Sequence, residues 1–273
     1  MTARLSLPDD GWKAALRLRF AARPERTVLT ERRHSGPLTV QRPFYPEGAP
    51  CHLYVLHPPG GVVGGDGLSL DIHLDAHSHA LLTMPGATKF YRSAGPVSRL
   101  VQQFQVAENA MLEWLPQDSI FFPGARAALE SRFELASGAR LLAWESLCLG
   151  RPVMQETFSH GQIDSRISLF LDGQPLLHER LRLSGGALAR VADYPLLATF
   201  FAYPATPELL DLARGQLANA LAPAGATLLE GLLVVRLLEH DNQRLQATLQ
   251  QLWRALRPAV AGCLPCPPRI WAT

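Results

Sequence analysis

Four side chains capable of binding a metal crowd one short segment. In HLDAHSH, His73, Asp75, His77 and His79 fall within seven residues. Imidazole and carboxylate ligands at that density are enough for a metal site, and a metal-dependent hydrolase is the enzymatic alternative they raise. The pattern leading into them argues against it. Leu68, Leu70, Ile72 and Leu74 alternate with Ser69, Asp71, His73 and Asp75. A half-buried strand of this kind turns His73 and Asp75 away from Ile72 and Leu74, toward solvent, and leaves His77 and Ser78 in a connecting turn. Exposed polar residues are the default reading.

A second stretch, HPPGGVVGGD from His57 to Asp66, carries two prolines and four glycines. Glycine doublets at Gly60, Gly61, Gly64 and Gly65 suggest positive φ or close approach of the backbone to a ligand or partner. A phosphate-binding loop would need GxxxxGK followed by Ser or Thr, and here the second doublet runs into Asp66 and Gly67, where an acid would repel phosphate. A dinucleotide fingerprint should open a helix, yet the strand from Leu68 follows. No GxSxG nucleophile elbow and no recognisable Cys/His pairing appears. Cys263 and Cys266 form CLPC without a second ligand pair, and a turn is the simpler reading than a zinc or redox site. Cys51 and Cys148 lie in apolar runs and read as core residues.

The 273 residues are 47% hydrophobic and 18% charged, enough for one domain spanning 1–273 with a substantial core. A net charge of +2, with no basic run interleaved with aromatics, disfavours nucleic acid. The N-terminal residues lack a leader pattern, and the most apolar stretch, LLEGLLVVRLL, carries Glu230 and Arg236. No membrane role and a cytoplasmic location are expected.

The first 190 residues read as strands. Trp12, Ala14, Leu16, Leu18 and Phe20 alternate with Lys13, Ala15, Arg17 and Arg19. A loose repeat of about thirty residues aligns ALLTMPG, AMLEWLP, ARLLAWE and, more weakly, PLLHERL, placing Leu82, Leu112, Leu141 and Leu177 in equivalent positions. Stacked β-layers produce such a repeat, and regular hairpin spacing would mimic it. Two helices are expected late in the chain. The first starts at a Thr206 cap with Leu209, Leu212, Leu217 and Leu221 at helical spacing. The second follows an apolar strand over 228–238, starts at Asp241, carries Leu245, Leu249, Leu252 and Leu256, and stops at Pro258. The fold class is mainly β, a β-helical arrangement of many short strands with two α-helices in the C-terminal quarter.

Two carboxylates stand where alternation predicts burial. Glu179 shares a face with Leu177, Leu181 and Leu183; Glu145 shares one with Leu141, Ala143, Leu147 and Leu149, although Leu142 and Trp144 leave that strand apolar on both sides. A buried carboxylate must be paired, hydrated or ligated. Pairing with Lys89 or Arg151 would make both structural, while an internal polar path would make them functional.

CHLYVLHPPGGVVGGD, TMPGATKFYRS, LEWLPQDSIFFPGA, CLGRP followed by ETFSHG, and the terminal PRIWAT, in this order from about Trp12 to Thr273, resemble the UreD family of urease accessory proteins, also called UreH. The resemblance implies a maturation factor rather than an enzyme. Such proteins bind apo-urease and, with the helical protein UreF and the GTPase UreG, help deliver nickel. It also implies a β-helical fold with two helices, no tightly bound cofactor, a transient passage of nickel and room for a homodimer within the complex. On this reading Glu145 and Glu179, with Asp66 as a third candidate and Lys89 beside them, line a nickel path, and Gly60, Gly61, Gly64 and Gly65 form a structural or partner-facing loop.

Overall fold

The computed structural model describes residues 11–272; Thr273 of the PRIWAT motif lies outside them. The chain winds between two sheets. One has seven strands in the order Gln174–Ser184, Gln162–Leu171, Arg126–Leu135, Ser98–Val106, Gly67–Leu74, Lys13–Ala22 and Thr27–Ser35. Its five inner strands are parallel, and an antiparallel strand closes each end. The other sheet has twelve strands. Parallel strands Cys51–Leu56, His79–Thr83, Met111–Leu115 and Arg140–Arg151 lie at its centre, with short strands Gly61–Val62, Thr88–Phe90 and Ser119–Phe121 beside them. Passing from one sheet to the other and back makes a β-solenoid of about four turns, as the loose repeat implied.

The turns that follow successive strands of the seven-stranded sheet stack as well. His77, Asn109 and Gly138 all take positive φ. The Ala107 amide donates to the Leu74 carbonyl and the Ala136 amide to the Val106 carbonyl, so each turn is bonded to the coil beneath it. At position 138 glycine is favoured, because its φ is 70° and a β-carbon there would stand 2.3 Å from Asn109 Oδ1 and push that side chain aside.

The register refines the repeat. Cys51, Ala80, Leu112 and Leu141 form one row across the parallel strands, so Leu82 stands opposite Trp114, one pleat further along, rather than opposite Leu112. Leu177 belongs to the other sheet and pairs with Leu169. The PLLHERL segment is thus no fourth copy. It returns as a hairpin strand, whose direction no thirty-residue period specifies.

Two clusters of apolar side chains explain which strands alternate. Between the sheets lie Leu16, Leu18, Ile72, Leu53, Leu112 and Leu141, with Phe104 and Phe133 stacked at 4.6 Å. The seven-stranded sheet covers only this core and wets its other face, hence its period of two. On the far side of the twelve-stranded sheet, Leu81, Met111, Leu142, Trp144 and Val235 pack against the C-terminal helices. That sheet is buried on both faces, so its strands read as continuous apolar runs such as LLAW and LLVV.

Helix α1 spans Pro207–Leu217 and α2 spans Asn242–Ala261. Leu221 falls beyond α1 and is 81% exposed, because the chain turns into a hairpin at this point. The apolar stretch read as one strand over 228–238 is two, Ala224–Leu229 and Leu232–Glu239, joined at Glu230 and Gly231, both with positive φ, the conformation of a tight two-residue turn. Asp241 caps α2 by accepting the Arg244 amide at 3.1 Å. Thr206 precedes α1 without capping a backbone amide, its side chain bonding Glu208 instead. Pro258 does not stop α2. It costs one intrahelical bond near the end, while Val260 and Ala261 extend the apolar face and Gly262, at φ 72°, closes the helix on the Pro258 carbonyl. Among the described residues no helix is long and apolar enough to cross a membrane.

Candidate functional site

The edge hairpin of the seven-stranded sheet, Gln162–Leu171 and Gln174–Ser184, faces the part of the twelve-stranded sheet built from Leu196–Tyr203 and Leu232–Glu239. Between them lies a cavity of about 550 Å³ lined in part by Glu145, Ser165, Ile167, Glu179, Thr199 and Arg236. Ladder register sets this arrangement. Glu145 pairs with Thr199, and Thr199 pairs with Arg236, so three polar side chains form one row on the cavity side. Across from them Ile167 pairs with Glu179. Arg236 forms an ion pair with Glu179. Its guanidinium is 58% exposed, which places this pair at the solvent side of the cavity.

Glu145 is the deeper carboxylate. Ser165 Oγ donates to its Oε2 at 3.0 Å, and no cation pairs with it among the described residues. Burial therefore dominates: it pushes the carboxyl up to about 7, against the smaller opposing effect of the Ser165 bond. Beyond Glu145 and Ile167 the space narrows to a cavity of about 30 Å³. It also touches Thr88, Gln102, Ser119 and Ser131, with Ser131 Oγ bonded to Gln102 Oε1 at 3.0 Å inside the core. The polar lining thus continues from Glu145 into the space between the sheets.

A pH test isolates Glu145. Its folded-state value lies above the ordinary 4.5, so between these values the unfolded chain has released a proton that the folded chain holds. The contribution to stability is complete below pH 4.5 and is lost as pH rises through 7, by up to about 3 kcal/mol. Glu145→Gln should therefore unfold at nearly the wild-type temperature at pH 4.5 and at a higher temperature at pH 8. Parallel melting curves across that range would place the ionised carboxylate in a solvated setting instead.

The other sequence-derived candidates lie elsewhere. Asp66 is 2% exposed and accepts the amides of Val63 at 2.9 Å and Trp12 at 3.2 Å, which ties the glycine segment to the first strand. Lys89 is exposed at the centre of Thr88–Phe90; neither it nor Asp66 lines the Glu145 cavity. Nor does Lys89 or Arg151 neutralise the two glutamates, since Arg151 pairs with Glu156 and Arg236 takes Glu179. Sequence distance hid Arg236, which hairpin pairing brings across the cavity. In the glycine segment a β-carbon at Gly61 would stand 2.1 Å from the Tyr91 ring, and Gly65 sits at φ 93°. The loop packs against the next coil, and its glycines make that approach feasible.

The histidine segment disperses. His73 reaches Asp71 at 2.7 Å, Asp75 pairs with Arg19 at 2.8 Å, and His77 occupies the turn. His79 turns inward onto Glu113. Cys51 and Cys148 are buried in the two cores. Burial raises the Cys263 thiol to about 11 and raises Cys266 as well, so neither is a thiolate at neutral pH.

Sequence reasoning missed Glu113, which is fully buried beneath α2. Its carboxylate accepts bonds from Trp253 Nε1 at 2.6 Å and Arg257 Nη2 at 2.9 Å, and His79 Nε2 lies 2.7 Å away. Arg257, also fully buried, reaches Glu47 Oε1 at 2.6 Å, and Glu47 in turn contacts His52. Burial alone would raise Glu113, but the His79 bond and charge, followed by Arg257, overcome it and bring the group down to about 2. The available signal was a glutamate inside the unbroken apolar run MLEWL.

The family model described as UreD urease accessory protein matches residues 13–272. The chain is 65% identical to the urease accessory protein UreD of Pseudomonas entomophila (strain L48), over 97% of this chain and 96% of that protein. It is 57% identical to that of Enterobacter sp. (strain 638) and 53% identical to that of Klebsiella pneumoniae subsp. pneumoniae, each over 96% of both chains. A match of this extent, on a solenoid with two late helices, shows that the chain belongs to the UreD urease accessory protein family.

Proposed function

We propose that this chain, acting as one domain in the cytoplasm, is a non-catalytic chaperone. It binds apo-urease and, with UreF and the GTPase UreG, serves nickel delivery and insertion into the urease active site. The observation that carries the nickel reading is the row Glu145–Thr199–Arg236 facing Glu179 in one cavity, continued inward by Gln102 and Ser131. Carboxylate, hydroxyl and amide oxygens hold a divalent ion less tightly than a closed thiolate or imidazole cage does, which suits an ion that must move on. Near pH 7 Glu145 is poised between its two forms, so arrival of the cation would release its proton. Nickel is cargo here, and the chain holds no resident cofactor on this reading.

Co-expression with genes for urease, UreF and UreG and purification through a tag on this chain tests the assembly. Recovery of UreF, UreG and apo-urease subunits, with a mass that also reads whether two copies are present, is the expected result. Failure to recover any of them, or turnover of a small substrate by the purified chain, would overturn it.

A further inference from the structure

The solvent-facing side of the seven-stranded sheet carries a groove that no part of the nickel reading uses. Arg99, Ala128, Asp164 and Arg182 form one register row across four adjacent strands, and a cavity of about 530 Å³ lies along them. At Arg126 and Gln162 it joins a second cavity of about 340 Å³, which adds Arg92 and His160. Gly124 sits between these two, at φ 83°. Arg92 Cγ and His160 Nε2 each come within 2.9 Å of where its β-carbon would be, so only glycine lets both side chains crowd this end.

Positive charge is in excess along the groove. Arg92, Arg99 and Arg126 make no ion pair among the described residues, and Arg126 bonds only the neutral Gln162 Oε1, at 3.1 Å. The Nε atoms of Arg99 and Arg126 are buried and have no hydrogen-bond partner, a costly state for a guanidinium. The single Asp164 carboxylate is shared by Arg166, Arg180 and Arg182; bonding to Arg180 first, then Arg166, holds it down to about 2. Among the described residues Glu130 is the only other acid lining the two cavities.

We propose that this groove is the docking site for an extended acidic segment of a partner protein. Charge complementarity names the occupant, because planar carboxylates match the forks of Arg99, Arg126 and Arg92. The four-strand row spans about 14 Å, a length covered by about four residues of extended chain. A single small oxyanion would fill one end and leave the remaining arginines unmet. A nucleic acid would lack a run of stacking platforms, since among the described residues no Phe, Tyr or Trp lines either cavity and His160 is the one aromatic ring there.

Fluorescence anisotropy of a labelled hexaglutamate peptide with the full-length chain at low salt tests the groove, with hexaserine as the uncharged control. Hexaglutamate should bind and hexaserine should not. Arg99→Ala with Arg126→Ala should weaken binding by about tenfold, and Glu130→Arg, at an exposed strand position, should tighten it severalfold. Identical affinity in the wild type and Glu130→Arg would overturn the proposal even if the double variant failed to fold. Full displacement by millimolar acetate or phosphate at constant ionic strength would show a small-anion pocket instead, and tighter binding of oligothymidylate would show a nucleic-acid surface.

Discussion

Replacing Arg257 by Met is expected to remove about 3–5 kcal/mol of folding stability, because it strips the buried Glu113 carboxylate of its guanidinium partner. Arg257 and Glu113 are both fully buried, and the guanidinium joins Glu113 to Glu47 while also donating to the Leu264 carbonyl. One side chain thus ties α2, the central strand Met111–Leu115, the loop before Cys51 and the C-terminal segment together. Since whole domains retain only about 5–15 kcal/mol, Arg257→Met should give up a large share of the total and unfold at a much lower denaturant concentration. Arg257→Lys should fail nearly as badly, as an ammonium cannot span both carboxylates with a planar fork. Adding Glu113→Gln to Arg257→Met removes the stranded charge and should restore part of the loss. Denaturant unfolding measures all three, and a single variant within 1 kcal/mol of wild type would show that the network is not a structural clamp. The same network sets an acid limit. Glu113 lies below its ordinary 4.5 at about 2, so its contribution is present above pH 4.5 and is lost as pH falls through 2.

The second large effect concerns nickel rather than folding. On the function proposed above, Glu145→Ala with Glu179→Ala should leave a complex with UreF, UreG and apo-urease recoverable, yet leave urease deficient in nickel and activity in the same cells. Folding should survive for reasons visible in the cavity. Glu145 has no cation to strand, and its removal relieves a buried carboxylate. Arg236, deprived of Glu179, is more than half exposed and rehydrates at a cost of about 0–1 kcal/mol. Metal analysis of purified urease, set beside complex recovery, separates the two roles. Loss of the complex together with activity would mark the pair as structural, and full nickel loading would show that neither residue lies on a required path.

The inward direction of Glu179 is legible because a strand wet on one face alternates, as Gln174–Ser184 does from Leu177 onward, whereas Glu145 stands in a strand covered on both faces and only its polarity within an apolar run marks it. The identity of their neighbours is not legible. Lys89 and Arg151 looked available as partners, whereas Arg236 reaches Glu179 only because Leu196–Tyr203 and Leu232–Glu239 extend the second sheet by antiparallel pairing, whose register depends on turns rather than on any repeat. Glu113 escaped for the opposite reason. Its sheet is covered on both faces, so period two carries no information in MLEWL, and its partner Arg257 lies 144 residues away. The shift of Leu82 by one pleat, the misplaced Leu177 and the continuation of α2 past Pro258 share a cause: tertiary packing decides between locally equivalent alternatives.

Coils stacked in parallel present open strand ends, and a stack of this kind could in principle polymerise by adding copies indefinitely. The end strands of the two main strand orders are each blunted, by more than one device. Thr27–Ser35 exposes Arg32, Arg33 and His34; Gln174–Ser184 begins with Pro175 near its start and carries Arg180 and Arg182 outward. Thr39–Val40 is two residues long, and Ala224–Leu229 lies beside α1, whose Arg214 bonds the Ala226 carbonyl. Charge, proline, shortness and a covering helix are the known ways to prevent fibre growth from a sheet edge. A protein so terminated is poorly suited to recruiting neighbours by lending them a strand, which leaves association to side-chain surfaces, where contacts are more readily reversed.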